Sequence, residues 1–269
     1  MKLGLYGGGF KPFHAGHFSK LKLALESNDR VFLFFGIQKQ GYSKITGKKT
    51  ATKFRPFGSD RGARRYNEQM QEAIFAIYEE VLEENFPDKL DAIAIRGTSP
   101  MAEVNRVLDM FANTLINGEE ISYKGVNLMN VDEINVYGGD EDIKNQVIGS
   151  IKRREMGDNP VGKKLASLMD APSDPKISFN SGYHPSTPIE KTEIHGDHIR
   201  NYLAIGQEEK VKDNLPNITG DPKFDDQVKE RIITALKAEY SIPEYQPKTQ
   251  DEELEEIYLR ALIKGMIRG

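Results

Sequence analysis

The stretch from Leu3 to Phe35 constrains this chain more than any other. Leu3 to Tyr6 is a short apolar run that stops at Gly7, Gly8 and Gly9, the pattern of a buried strand ending in a tight loop. Ala15 to Ser27 carries Phe18, Leu21, Leu23 and Leu25, dense enough for a buried helix face, and Val31 to Phe35 is β-branched and aromatic up to Gly36. Strand, glycine turn, helix and strand form a βαβ unit, whose strands run parallel and whose crossover is right-handed. The alternation continues downstream. Ile74, Ile77, Val81 and Leu82 recur at helical spacing before Pro87, and Leu90 to Ile95 predicts a third strand running into Arg96-Gly97. Met101 to Leu115 predicts a helix, Glu133 to Tyr137 a strand ending in Gly138-Gly139-Asp140, and Ile143 to Ile151 a helix. Lys176 to Phe179 predicts a fifth strand and His195 to Ala204 a helix opened near Gly196, with Asp197 as its cap. Such alternation gives an α/β fold with a doubly wound parallel sheet. Ligands of these sheets sit outside the carboxyl ends of the strands, beside the switch in strand order.

The length of 269 residues suits one large domain, or one domain with an appendage. The tail supports the second arrangement. Phe224 to Tyr240 and Asp251 to Ile267 read as helices separated by Ile242 to Lys248, and Leu254, Ile257, Tyr258, Ala261 and Leu262 make one apolar stripe. The expected division is residues 1–216 as the α/β domain and 217–269 as a C-terminal helical segment. The stripe packs on the parent domain or builds a homo-oligomer.

With 37 Lys and Arg against 41 Asp and Glu, the formal charge of −4 argues against a general nucleic-acid binder. The absence of cysteine removes disulfides, thiolate nucleophiles and cysteine-held zinc. Runs such as Val31 to Phe35 are too short to span a membrane, and no leader pattern precedes the first strand, so the expected location is cytoplasmic. Against this acidic background, Gln38 to Arg65 holds nine Lys or Arg residues and the glycines Gly41, Gly47 and Gly58. It reads either as a mobile lid for a polyphosphate or as a solvated basic loop.

The segment that carries chemistry is Gly8-Gly9-Phe10-Lys11-Pro12-Phe13-His14-Ala15-Gly16-His17. Glycines let the backbone approach a ligand and expose amide N–H groups. A helix N-terminus follows, which attracts anions. His14 and His17 share a face if that helix begins near Ala15. Gly16 removes a side chain where a phosphate would press, and Lys11 adds a mobile charge. Imidazoles beside a phosphate suit phosphoryl or nucleotidyl transfer, in which positioning and charge stabilisation dominate.

Phe10 to His17 resembles the histidine-x-glycine-histidine signature of the nucleotidylyltransferase superfamily. Lys11-Pro12-Phe13 is similar to its nicotinamide-mononucleotide adenylyltransferase and phage-type cytidylyltransferase-like branches. A second signature of that family, Ile-Ser-(Ser/Gly)-Thr-x-(Ile/Val)-Arg, has a counterpart in Ile194-His195-Gly196-Asp197-His198-Ile199-Arg200. There Ile194, Gly196, Ile199 and Arg200 match, while His195 and Asp197 replace the hydroxyl residues. The stretch from Leu203 to Pro216 resembles the helix that follows that motif, so the resemblance covers roughly residues 1–216.

The resemblance implies a Rossmann-like sheet and a catalytic set of His14, His17, Lys11 and Arg200. His17 would lie nearest the α-phosphate, and Arg200 would hold the β- and γ-phosphates with backbone amides around Gly196. Gly8, Gly9, Phe10 and Gly16 would line the nucleotide, together with Ile194, His195 and Gly196. Gly138, Gly139 and Asp140 sit where the family contacts base or ribose, and equally read as a bare turn. Lys44, Lys48 and Lys49 are candidates to close over the triphosphate. His195 and His198 read as phosphate-proximal replacements in the second motif and His184 as a loop residue, so no resident metal ion is expected. Mg2+ would accompany the triphosphate.

The expected reaction is transfer of AMP or CMP from a nucleoside triphosphate to a phosphorylated small molecule, releasing pyrophosphate without a covalent intermediate. ATP and CTP both stay open, with a weak preference for adenylyl transfer. The alternative is a weak or inactive nucleotidylyltransferase-fold protein, serving nucleotide binding or assembly through its C-terminal helices.

Overall fold

The computed structural model describes residues 1–10, 12–37, 61–170, 176–204 and 206–238, with the side chains of 61–69, 197, 200, 201, 204 and 238 outside the description. Five parallel strands form the sheet: β1 (Lys2–Gly8), β2 (Arg30–Ile37), β3 (Leu90–Arg96), β6 (Glu133–Tyr137) and β7 (Ile177–Asn180). Their spatial order is β3-β2-β1-β6-β7. The chain winds outward from β1 to β3, then returns past β1 to lay down β6 and β7. The switch in strand order therefore falls between β1 and β6, as in a doubly wound Rossmann-like sheet. A two-strand antiparallel pair, β4 (Ser122–Tyr123) with β5 (Val126–Asn127), stands apart from it.

Both faces of the sheet are covered, which explains why its strands are apolar at nearly every position. On β2, Val31, Leu33, Phe35 and Ile37 point to one core, and Phe32 and Phe34 to the other. The first core takes α1 (Ala15–Ser27), α2 (Arg61–Asn85), α8 (Gly196–Ala204), α9 (Glu208–Asn214) and α10 (Pro222–Ala238). The second takes α3 (Pro100–Asn117), α6 (Pro160–Met169) and a run of helix from α4 (Asp140–Asp142) through a π turn (Ile143–Ile148) to α5 (Gly149–Met156). The stripe Met70, Ile74, Tyr78, Val81 and Leu82 seats α2, as i, i+3 and i+4 spacing requires. α3 has Ser99 as its cap, Pro100 at its first turn and a left-handed Gly118 (φ 69°) at its end.

Several expectations change against this frame. The basic segment does not stay a loop to Arg65: α2 begins at Arg61, so Arg61, Arg64 and Arg65 are helical. Residues 38–60, including Lys44, Lys48 and Lys49, lie outside the described residues. The helix expected over Ile143 to Ile151 runs from Asp140 to Met156. α8 opens at Gly196, which places Asp197 inside its first turn and not at the cap. Of the two tail helices, the first is α10; the second, with its stripe, lies outside the described residues. α10 shares one core with the site-bearing half, because Val228, Ile232, Ile233 and Leu236 join the cluster of Phe13 and Tyr78. No helix among the described residues is long and apolar enough to cross a membrane.

Candidate functional site

The site is assembled at the carboxyl end of β1, beside the switch point. β1 ends in Gly7 and Gly8, and the chain turns through Gly9 and Phe10. A Cβ on Gly9 would meet nothing within 4 Å among the described residues, which leaves this backbone open to a ligand. Phe10 rather than a glycine takes the left-handed backbone (φ 37°). Its ring is buried edge-on against Tyr6, Phe13 and His17, at centroid distances of 5.2, 5.0 and 4.9 Å. Burial and edge-to-face packing offset a strain of about 1–3 kcal/mol. The main chain of Phe10 thus lines the turn, while its side chain braces His17 from behind.

His14 is the N-cap of α1 and His17 its third residue. That spacing stacks their rings, with centroids 3.7 Å apart and planes 26° from parallel. The His14 amide donates to Nδ1 of His17 at 3.4 Å, so His17 carries its proton on Nε2 when neutral. Phe13 also stacks on His17, at a centroid distance of 5.7 Å, and the Tyr78 hydroxyl donates to the Phe13 carbonyl at 2.5 Å. The Tyr6 hydroxyl donates to the His17 carbonyl at 3.4 Å.

Both imidazoles are neutral at ordinary pH. Burial pushes His14 down to about 3, helped by the nearby His195 and His198. Burial likewise holds His17 well below the usual histidine range, with His14, Lys20 and His195 acting in the same direction. Nδ1 of His14 is buried with no hydrogen-bond partner among the described residues. The pair is a stack of neutral hydrogen-bonding groups at a helix N-terminus, suited to an anion's oxygens.

The second motif comes to the first through the chain between β7 and α8. Ser19 on α1 meets the Thr187 hydroxyl at 2.5 Å and accepts from the His184 amide at 2.9 Å, and Nε2 of His184 meets Glu26 at 2.8 Å. The short helix α7 (Ile189–Thr192) then crosses α1 so closely that a Cβ on Gly16 would lie 2.7 Å from the Lys191 carbonyl. The space beside Gly16, expected for a phosphate, is thus taken by backbone. From α7 the chain passes through Ile194, which packs on the core, and His195 into α8, where Ile199 is buried; His195 and His198 stay exposed with ring centroids 5.4 Å apart.

Arg200 lies on α8, but its side chain is outside the description, as is the whole of Lys11. Across the switch point Gly138 is buried at the end of β6, and Gly139 and Asp140 are exposed. Among the described residues no three His, Asp or Glu side chains converge as a metal site.

Sequence reasoning passed over Lys20, whose Nζ donates to the Gly138 carbonyl at 2.8 Å beneath the ring of Tyr183. The available signal was its place three residues after His17, on the same helix face. A separate concavity of about 590 Å3 lies between β3, α3 and the β4–β5 pair, at the edge of the sheet away from the switch point. Its two arginines are already paired, Arg96 with Glu72 and Arg106 with Glu103.

No protein-family model and no curated protein matches this chain in sequence. Among solved structures, it is similar to a NadR protein in complex with NR, at 16% identity and a TM-score of 0.39, over 80% of this chain and 43% of that one. It is similar to a bifunctional NMN adenylyltransferase/ADP ribose pyrophosphatase from Francisella tularensis, complexed with AMP and a manganese ion. There the identity is 14%, the TM-score 0.35 and the coverage 87% and 52%. Thermotoga maritima TmcAL bound with α-thio ATP gives 14% identity and a TM-score of 0.36, over 89% and 56%. The chain spans about half the length of these proteins. The likenesses are remote, and the reading of the site rests on its own geometry.

Proposed function

We propose that this protein is a nucleotidylyltransferase of the histidine-x-glycine-histidine type. The observation that carries the reading is the neutral, stacked His14–His17 pair at the N-terminus of α1, beside the switch point, with His195, just before α8, and His198 within it near enough to depress His14. A phosphate oxygen of the acceptor attacks the α-phosphorus of ATP or CTP. The bond to the β-phosphate oxygen breaks, and pyrophosphate leaves with that electron pair. Nε2–H of His17 donates to a non-bridging α-phosphate oxygen and strengthens as charge builds there. A neutral donor suits this task because it gives up no proton and needs no reorganisation. Lys11 and Arg200 are proposed to hold the triphosphate, with Lys44, Lys48 and Lys49 closing over it. The Gly8–Phe10 backbone and the Ile194–Gly196 turn line the nucleotide, and Gly138–Asp140 receives a nucleoside. Mg2+ would ride on the triphosphate oxygens, where it neutralises charge.

The test is pyrophosphate release with each nucleoside triphosphate and a panel of phosphorylated acceptors. His17→Ala is expected to lower kcat by about 10²–10³ while costing no more than about 2 kcal/mol of stability. Equal turnover in the variant refutes the assignment. Triphosphate binding without turnover on any acceptor would favour a nucleotide-binding or assembly role.

A further inference from the structure

The reaction above uses α1 through His14 and His17 and leaves Lys20, one turn along the same face, without a part. Lys20 is only 6% exposed. Among the described residues its one hydrogen bond goes to the Gly138 carbonyl at 2.8 Å, and the face of Tyr183 lies 4.4 Å from its Nζ. Among the described residues no carboxylate reaches ion-pair distance; Asp140 and Asp142 act on it only from farther off. Burying an ammonium without an ionic partner is costly, and a leucine or methionine would fill the same space without that cost. What the ammonium adds is its hold on Gly138.

Gly138 is gripped from its other side too. A Cβ placed there would meet Met101 at 3.1 Å and Ile143 at 3.3 Å. The carbonyl held by Lys20 belongs to the first residue after β6, where the chain leaves the sheet for Gly139 and Asp140. Lys20 thus reaches across the switch point, from the helix that carries the histidines to the turn that follows β6. Tyr183, just after β7, closes over the same ammonium.

We propose that Lys20 is a positioning residue that keeps the Gly138–Asp140 turn in register with the His14–His17 pair, so that a substrate seated at the turn presents its reacting phosphate to the histidines. This inference rests on the nucleotidyl-transfer reading and deepens it.

Lys20→Met keeps the apolar stem and removes the charge and its donors. The expected result is a rise of about tenfold in the KM of one substrate, with kcat changed less than about threefold, because a displaced turn costs binding geometry before chemistry. A second readout needs no turnover. The Gly138 and Gly139 amide resonances should move in Lys20→Met, while a pyrophosphate titration followed at His17 keeps its wild-type affinity. Unchanged KM values together with unmoved glycine amides overturn the proposal. So does a fall in kcat and stability with both KM values intact, the pattern of a merely structural residue. If the wild-type protein turns over no substrate, the reaction itself fails, and the glycine amides alone decide whether Lys20 holds the turn. If Lys20→Met does not fold, Tyr183→Leu, at a ring 38% exposed, takes its place in the same measurements.

Discussion

Acid should destabilise this protein between pH 6.5 and 5 through His14, before the carboxylates titrate. In the unfolded chain His14 binds a proton with a pKa near 6.5, and in the fold burial and the facing histidines hold it at about 3. The unfolded state therefore binds more protons throughout that interval. Stability is full above pH 6.5 and drains away as the pH falls toward 3. One group shifted this way contributes a loss of about 2 kcal/mol between pH 7.5 and 5, at about 1.4 kcal/mol per pH unit below 6.5. His17, lowered in the same direction by burial, steepens the slope. The assay is urea unfolding at pH 7.5, 6 and 5, on wild type and on His14→Asn. Asparagine is a favoured N-cap, so the variant keeps the start of α1 while losing the titrating ring. The variant should lose about 2 kcal/mol less than wild type over the interval. Parallel pH profiles for the two proteins would refute the account, since they would mean that His14 protonates freely in the fold.

Two further substitutions test the scaffold around the site. Gly16→Ala gains helix propensity, yet drives a Cβ to 2.7 Å from the Lys191 carbonyl. A net loss of about 1–3 kcal/mol is expected, with weaker binding of a non-hydrolysable triphosphate as α7 moves, read by calorimetry. Asp225 is 3% exposed and accepts from the amides of Ile218, Thr219 and Gly220 at 2.9, 2.9 and 3.2 Å. Asp225→Ala should cost about 2–4 kcal/mol in urea unfolding, because three amides and the Thr219 hydroxyl lose their acceptor and the Ile218 N–H is left buried. Asp225→Asn should recover part of that loss.

How far the sequence discloses this molecule depends on how local each signal is. β1, β2, β3 and β6 are legible because both faces of each are buried, so apolar residues run almost unbroken up to a glycine or to Arg96. The stacking of His14 on His17 is legible too, since three residues along a helix bring side chains together whatever lies beyond. The short helix α6 escaped, although Asn159 caps it by accepting from the Gly162 amide at 3.0 Å and Pro160 opens it. Its apolar residues Val161, Leu165, Leu168 and Met169 do recur at helical spacing, so the signal was present, confined to ten residues. The left-handed Phe10 escaped because Gly8 and Gly9 beside it look like the residues that would take such a conformation. Lys20 escaped for another reason: lysine on a helix is ordinarily solvated, and only the arrival of β6 and the loop after β7 buries this one.

The meeting of the two motifs shows why nonlocal structure decides the chemistry here. Nothing near Ile194 in the sequence directs α8 to the histidines. The direction comes from α1, whose Gly16, Ser19, Lys20 and Glu26 hold the chain from Tyr183 to Lys191 by a backbone approach, two hydroxyl contacts, a cation–ring contact and a histidine–carboxylate bond. The same helix supplies His14 and His17, so one element both carries the histidines and guides the second motif to them. Behind them the support runs the other way along the chain. α10 packs Val228, Ile232, Ile233 and Leu236 into the core that contains Tyr78 and Phe13. Tyr78 fixes the Phe13 carbonyl, and the Phe13 ring stacks on His17. The orientation of His17 therefore depends on residues beyond position 216: α10 backs the core on which the site is built.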